Sequence, residues 1–272
     1  MAQNLTKDLL PDPSRHRLQM LVGPRGLDVT VFAPAEDNSL IYRHIGLDPA
    51  AKSTQDALEN AVYDNPLLLG RFRRVDCLVD TPRMLMLPAD RVAEAPDMLA
   101  ELYGEDEFET MCDTLDGAGA TLAFAAPRRL VGFMKRTFGT PRISHRLSPL
   151  CRYYAHRTRF GNVARMHIHL HGDACDIVTV ACDTIITANT FAISAVSDAV
   201  YFALAVARSV DFDPEADRVL VSGDPAPREE LMAALRRNVR FVMPLIFPSD
   251  MLRIGPAAMD APFPMIANTL ID

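Results

Sequence analysis

Two stretches of this chain carry the same order of strand-like segments, and they lie at a fixed offset of 148 residues. Residues 17–22 fall over residues 165–170, and the dipeptide Asp28-Val29 falls over Asp176-Ile177. After each stretch the pattern continues with a third strand, a helix, another strand and another helix. Self-similarity at a long period indicates a repeated structural unit. The offset therefore predicts two halves that are built alike.

The first half opens with three short strands. Residues 18–22, 27–33 and 39–45 are apolar or alternate between apolar and polar, and residues 23–26 and 36–38 are typical of turns. Strands joined by such short turns form an antiparallel meander. Helices and strands then alternate along the chain, which indicates an α/β protein.

The duplication also suggests where the chain divides. Gly161-Asn162 is the best candidate for a boundary, since the strand pattern starts again immediately after it. We therefore expect a first lobe over residues 17–160 and a second, smaller lobe over residues 161–243. Residues 244–272 are rich in Pro and Met and strongly apolar, so we expect this tail to pack on a lobe rather than extend into solvent.

Composition excludes several classes of protein. The net charge of -7 without a basic stripe argues against a dedicated nucleic-acid binder. No run of 18 apolar residues occurs, so no membrane insertion is expected, and the first residues lack the apolar segment of a secretory signal. The five scattered cysteines suit reduced thiols. Together these features predict a cytoplasmic protein.

The second half carries a resemblance to a known family. Its sequence HIHLHGDACDIVTVACDTIITANTF, followed by a long helix and RVLVSGD, is similar to the ribonuclease-H-like half of the actin-like ATPase superfamily. Within that superfamily it resembles an uncharacterised bacterial family of actin-like proteins. The resemblance implies two ribonuclease-H-like lobes, each with a mixed sheet that contains a three-strand meander, plus helices. Cytoplasmic parts of secretion and pilus-assembly proteins have a similar architecture.

The resemblance also implies where a nucleotide would bind. In active relatives two hairpin turns with an Asp-x-Gly pattern hold the phosphates, and a third, Gly-Gly turn closes over the adenosine. In this chain the two Asp positions fall on Leu21 and His169, while Gly23 and Gly172 keep one glycine in each hairpin. Leucine cannot ligate a cation, so the first hairpin has lost its contribution to Mg²⁺ binding.

Three further residues complete this degenerate cleft. Asp176 fits the pattern, but Asp173 places a negative charge near the expected polyphosphate, and the third turn retains only Gly223. We therefore predict a vestigial nucleotide cleft formed by Gly23, Gly172, Asp173, Asp176 and Gly223, with no catalytic residue and no cofactor. Binding of ATP with Mg²⁺ is the alternative.

A second alternative concerns histidines that alternate along one strand. His167, His169 and His171 point to the same face, and imidazole is a common ligand of Zn, Ni and Cu. Residues two apart on a strand are separated by roughly 7 Å, which is long for three ligands of one ion. We prefer a polar face that lines the cleft between the lobes, with no metal bound.

Basic residues interleave with tyrosines over residues 152–159. Arginine and aromatic side chains together could stack on RNA bases. In an acidic chain, a solvated helix face whose tyrosines pack at an edge explains the same pattern, and we prefer that interpretation.

These observations favour a non-hydrolytic actin-like scaffold or adaptor that binds an unidentified protein partner through its cleft or an exposed sheet edge. A working ATPase or small-molecule kinase with rearranged phosphate loops is the first alternative. A metal-binding module built on the strand histidines is the second.

Overall fold

The first lobe is built on a five-stranded mixed sheet. The computed structural model describes residues 5–10, 12–104, 107–115, 117–158 and 163–271. The sheet has the strand order β3-β2-β1-β4-β8. Its strands are β1 Arg17–Gly23, β2 Gly26–Phe32, β3 Ile41–Gly46, β4 Arg74–Val79 and β8 Arg142–His145. β1 is antiparallel to β2 and parallel to β4, so the sheet combines a meander with parallel strands.

The second lobe repeats this arrangement. Its sheet has the order β11-β10-β9-β12-β13, which is the first order with each strand replaced by its counterpart. The strands are β9 Arg165–His171, β10 Ala174–Ala181, β11 Thr184–Ala192, β12 Arg218–Ser222 and β13 Phe241–Pro244. β9 is antiparallel to β10 and parallel to β12, as β1 is to β2 and β4. The predicted fold of two lobes with a common topology is confirmed.

The offset of 148 residues extends to the hairpin turns. Pro24-Arg25 joins β1 to β2, and Gly172-Asp173 joins β9 to β10 at the equivalent place. Gly26 has a φ of +157°, and a β-carbon built there would lie 2.6 Å from the ring of His44. Only glycine therefore fits where the first turn enters β2.

The helices of the two lobes follow from caps, prolines and apolar faces. In the first lobe they are α1 Thr54–Tyr63, α2 Ala95–Tyr103, α3 Arg128–Phe138 and α4 Leu147–Thr158. In the second lobe they are α5 Val196–Ser209 and α6 Pro225–Leu235. The Ser53 hydroxyl accepts a hydrogen bond from the Asp56 N–H and caps α1. Pro96 stands in the first turn of α2, where a proline is compatible with the helix.

A small third sheet is inserted in the first lobe between β4 and β8. It has the order β5-β7-β6, with β5 Met84–Pro88, β6 Phe108–Leu115 and β7 Ala120–Pro127. The central strand β7 is almost wholly buried, which explains its continuous apolar run. β6 was not predicted, since it is polar and half-exposed along most of its length.

The tail of the chain forms two short helices, α7 Ser249–Ile254 and α8 Phe263–Leu270. Met251 and Ile254 bury against Phe32 and Leu40 of the first lobe. Met265 of α8 is fully buried against Leu21 and Leu78. The tail therefore lies against the first lobe after β13 has completed the second sheet. The boundary predicted at Gly161-Asn162 lies outside the described residues.

We expect Met265→Ala to lower the free energy of unfolding by about 2–5 kcal/mol, because it opens a cavity under β1 and β4. Met259→Ala, at a side chain that is 67% exposed, is the matched control and should stay within about 0.5 kcal/mol of the parent. Urea unfolding of the three proteins tests this. Equal stability of the two variants would show that α8 does not contribute to the core.

Candidate functional site

A cavity of about 640 Å³ opens between the two lobes. The first lobe contributes the β1–β2 turn together with the residues that follow β4 and β8. The second lobe contributes the end of β9 and the loop between β12 and α6. The tail supplies an apolar wall that includes Leu245, Phe247, Met259 and Phe263. The cleft is thus formed by both halves of the duplication and by the tail.

The tips of the two hairpins touch across this cleft. Gly172 has a φ of +55°, and a β-carbon built on it would lie 2.0 Å from Nη1 of Arg25. The guanidinium of Arg25 therefore covers the backbone of the second turn, where the positive φ favours glycine and a side chain would push the arginine aside. In this position the arginine occupies the space directly above one of the two turns that the resemblance assigned to phosphates.

A second arginine crosses from the first lobe to the second. Arg146 follows β8, and its guanidinium donates to both carboxylate oxygens of Asp176 at 2.6 and 2.7 Å. The same group donates to Asp80 at 2.5 Å and to Nε2 of His171 at 3.0 Å. The side chains of Arg146 and Asp176 are 3% and 1% exposed, so this is a buried ion pair between the lobes.

The pKa values in this cluster follow from burial and charge. Burial alone raises the pKa of Asp176, but Arg146 and His171 outweigh it and hold the pKa well below its ordinary value. Burial has the opposite effect on Arg146 and lowers its pKa. The charges of Asp176 and Asp80 raise the pKa of Arg146 by more than burial lowers it, so the net shift is upward. Both groups are therefore charged throughout the physiological range.

The turn that carries Arg146 is itself fixed by a buried carboxylate. Asp113 of β6 accepts from the backbone N–H of His145 at 2.7 Å and from the Ser148 hydroxyl at 2.5 Å. These bonds hold the end of β8 and the start of α4 in one geometry. The inserted third sheet thus orients the arginine that joins the lobes.

The five residues predicted for the cleft fall into different environments. Gly23 and Gly223 line the cavity. Gly172 lies beneath Arg25, and Asp176 is buried behind Arg146. Asp173 is exposed at the tip of its turn and is not part of the cavity wall. Leu21, at the position of the first missing carboxylate, is buried against Met265.

The strand histidines share one face, and each has a different neighbour. His167 is buried and stacks on Tyr154 with ring centroids 3.9 Å apart. His169 lies 3.0 Å from the Ser222 hydroxyl, and His171 contacts Arg146. Burial above all lowers the pKa of His167 and of His169 to about 3, so both are neutral. In the described part of the chain no group of three His, Cys, Asp or Glu side chains could hold a metal ion.

Sequence reasoning missed Arg146, Asp80 and the apolar wall from the tail. No motif surrounds Arg146, which stands in the unremarkable stretch SHRLS. The buried Asp176 was the available signal, because a carboxylate in an apolar strand requires a cation nearby. Which cation supplies the charge depends on how the lobes meet, and the local sequence does not encode this.

A separate groove of about 790 Å³ lies in the first lobe, on the other side of the β1–β2 turn. Its floor is apolar and includes Val22, Leu58, Phe108 and Leu130. Its rim carries Arg83, Arg128 and Arg129 and the two acidic residues Asp80 and Glu107. Gly23, Pro24 and Asp80 line both the groove and the cleft between the lobes.

This arrangement of two lobes is similar to solved structures that have an actin-like ATPase fold. A protein of unknown function with that fold from Bacteroides thetaiotaomicron superposes with a TM-score of 0.78, at 20% identity over 95% of this chain and 96% of its own. The chain matches the model of a protein family of unknown function, DUF3822, over residues 10–242 and belongs to that family. No protein of curated function matches it.

Two more distant structures share the architecture. The PilM-PilN type IV pilus biogenesis complex matches with a TM-score of 0.52 and 15% identity, over 94% of this chain and 97% of that one. The cytoplasmic domain of EpsL from Vibrio cholerae matches with a TM-score of 0.50 and 10% identity, over 91% and 96%. Among the described helices, none has both the length and the apolar character needed to cross a bilayer.

Arg146→Met should lower the free energy of unfolding by about 3–5 kcal/mol, because it leaves the carboxylate of Asp176 buried without its partner. Arg240→Met removes an exposed pair with Glu215 and should cost less than about 1 kcal/mol. Urea unfolding at pH 7 compares the two. A loss no greater than that of the control would contradict a buried interlobe ion pair.

The neutral histidines predict that stability falls in acid. A histidine whose pKa is lowered to about 3 binds fewer protons when folded than when unfolded, so stability decreases as the pH falls from roughly 6.5 towards 3. His167→Phe keeps the stack on Tyr154 and should reduce this slope by up to about 1.4 kcal/mol per pH unit. Urea unfolding at several pH values measures the slope. An unchanged slope would mean that His167 is not buried in the neutral form.

Proposed function

We propose that this protein is a cytoplasmic, non-hydrolytic actin-like adaptor that binds a protein partner through the apolar groove of its first lobe. One observation carries the proposal. The chain's own arginines occupy the cleft in which actin-like ATPases hold phosphates, whereas the groove beside it is open and apolar.

The residues of the cleft are a poor fit for a magnesium-bound nucleotide. The carboxylates of Asp80 and Asp176 already bind Arg146, and Asp28 accepts from the Tyr42 hydroxyl at 2.9 Å. Leu21 offers no oxygen at the position of the first aspartate. With Asp224 and Asp260 also on the wall, the acidic lining outnumbers Arg25, Arg146 and Arg228 and repels a polyphosphate.

The groove has the chemistry of a site for a protein segment. Its apolar floor would bury the side chains of a partner and provide the main driving force for binding. Arg128 and Arg129 are exposed at the start of α3, and within the described residues neither makes an ion pair. An apolar segment that carries acidic residues therefore complements both the floor and the rim.

Two of the structural neighbours agree with such a role. One is a complex in type IV pilus biogenesis, and the other is part of an inner-membrane component of the type II secretion system. These proteins share the fold with this chain, and by analogy we assign it a scaffold role with a partner that is not yet identified.

Affinity capture with matched variants tests the groove. The double charge reversal Arg128→Glu with Arg129→Glu should reduce recovery of the partner more than about tenfold, since acidic groups would then face acidic groups. Arg208→Glu, on the exposed face of α5, is the control and should recover the partner as the parent does. Equal recovery by all three proteins would contradict the groove as the binding site.

Calorimetry with Mg-ATP and Mg-ADP tests the cleft separately. We expect no saturable heat, because Arg25 covers one of the two hairpin turns and Arg146 already binds the carboxylate of Asp176. Saturable binding of either nucleotide would overturn the proposal that the cleft no longer holds a nucleotide and favour an active or nucleotide-binding actin-like ATPase or kinase with rearranged loops.

A further inference from the structure

Three arginines converge at one end of the second lobe. Arg165 begins β9, and Arg218 begins the neighbouring strand β12 directly beside it in the parallel register. Arg157 stands in the last turn of α4, and its carbonyl oxygen accepts from Nη1 of Arg165 at 2.9 Å. Because side chains of paired residues lie on the same face of a sheet, Arg165 and Arg218 both face α4.

The cluster has no counter-ion of its own. Among the described residues, none of these three arginines pairs with a carboxylate, and Nε of Arg165 is buried without an acceptor. The nearby acidic loop is engaged elsewhere. Asp217 accepts from the backbone N–H groups of Ala164 and Asp213, and Glu215 faces Arg240. Burial, followed by the charges of Arg218 and Arg157, lowers the pKa of Arg165, which agrees with their closeness.

The first lobe shows what the equivalent position contains when the charge is neutralised. There Arg17 and Arg74 begin β1 and β4 in the same register, and Asp76 binds Arg74 at 2.8 Å with a side chain that is 3% exposed. In the second lobe the residue that corresponds to Asp76 is Leu220. The two lobes therefore share the arginines at these positions and differ in the internal carboxylate.

We infer that Arg157, Arg165 and Arg218 form a binding site for a single phosphoryl group. Guanidinium groups bind phosphate oxygens through paired hydrogen bonds, and among the described residues no carboxylate competes for the exposed guanidinium groups of Arg157 and Arg218. A phosphoryl dianion would supply the charge that Asp76 supplies in the other lobe. This site is distinct from the cleft and from the groove.

The surroundings favour one phosphoryl group over a nucleic-acid strand. Tyr153 and Tyr154 of α4 are 4% and 1% exposed and pack in the core with Phe263. They offer no surface on which bases could stack, although the sequence pattern alone allowed it. The expectation that these tyrosines pack at an edge is likewise wrong, because α4 is buried between the lobes.

Titration with inorganic phosphate tests the site, with sodium chloride at equal ionic strength as the reference. We expect saturable perturbation of the arginine Nε–H resonances in nitrogen–proton correlation spectra of the parent protein. Arg218→Gln should weaken the affinity about tenfold, as expected for one charge-assisted hydrogen bond lost. Arg208→Gln, on α5, should leave it unchanged.

A second variant restores the internal counter-ion instead of removing an arginine. Leu220→Asp places a carboxylate two residues after Arg218, as Asp76 stands after Arg74, and should abolish the phosphate response while raising thermal stability in chloride. Perturbations that chloride reproduces, or that Leu220→Asp leaves intact, would overturn the inference. Tighter binding of a ten-nucleotide RNA than of phosphate, with a steep salt dependence, would also overturn it and indicate a nucleic-acid surface.

Discussion

A buried ion pair links the two halves of this molecule. Arg146 belongs to the first lobe, yet two of its guanidinium nitrogens donate to the carboxylate of Asp176 in the second, and both side chains are withdrawn from water. A pair of this kind contributes little net stability, because desolvation offsets much of its attraction. Its importance is geometric, since neither charge tolerates separation. Together with the apolar side chains of β10 and β11 that pack into the core of the first lobe, the pair fixes how the lobes meet beside the cleft.

Much of the fold was predictable from local patterns, and the site was not. The meanders, the helix positions and the duplication follow from alternating apolar residues, turn residues and a constant offset. β6 was not predicted because it is polar and half-exposed. The tail helices were not predicted because Pro and Met obscure the periodicity of their apolar residues. The arginine partner of Asp176 lies 30 residues away along the chain and becomes its neighbour only when the lobes pack. Such long-range pairing is not encoded in any short motif.

The two lobes show how a duplicated fold diverges while its topology stays constant. The strand order and the registers of the central strands are the same, but the charges they carry differ. Where the first lobe holds a leucine at the end of its central strand, the second holds a histidine. Asp76 binds Arg74 in the first lobe, whereas among the described residues no carboxylate binds Arg165 or Arg218 in the second. Backbone hydrogen bonds fix the sheet irrespective of side chain, which leaves surface and cleft chemistry free to change.

The β1–β2 turn and the neighbouring Asp80 separate the groove of the first lobe from the cleft between the lobes. Gly23, Pro24 and Asp80 face the groove on one side and the cleft on the other. An occupant of the groove that displaced these residues would also displace Arg25 and the carboxylate of Asp80, both of which line the cleft between the lobes. By reciprocity, any change that opens the lobes alters the affinity of the groove by the same factor. In the proposed adaptor, binding in the groove and the packing of the lobes would thus be coupled through a turn of two residues, Pro24 and Arg25.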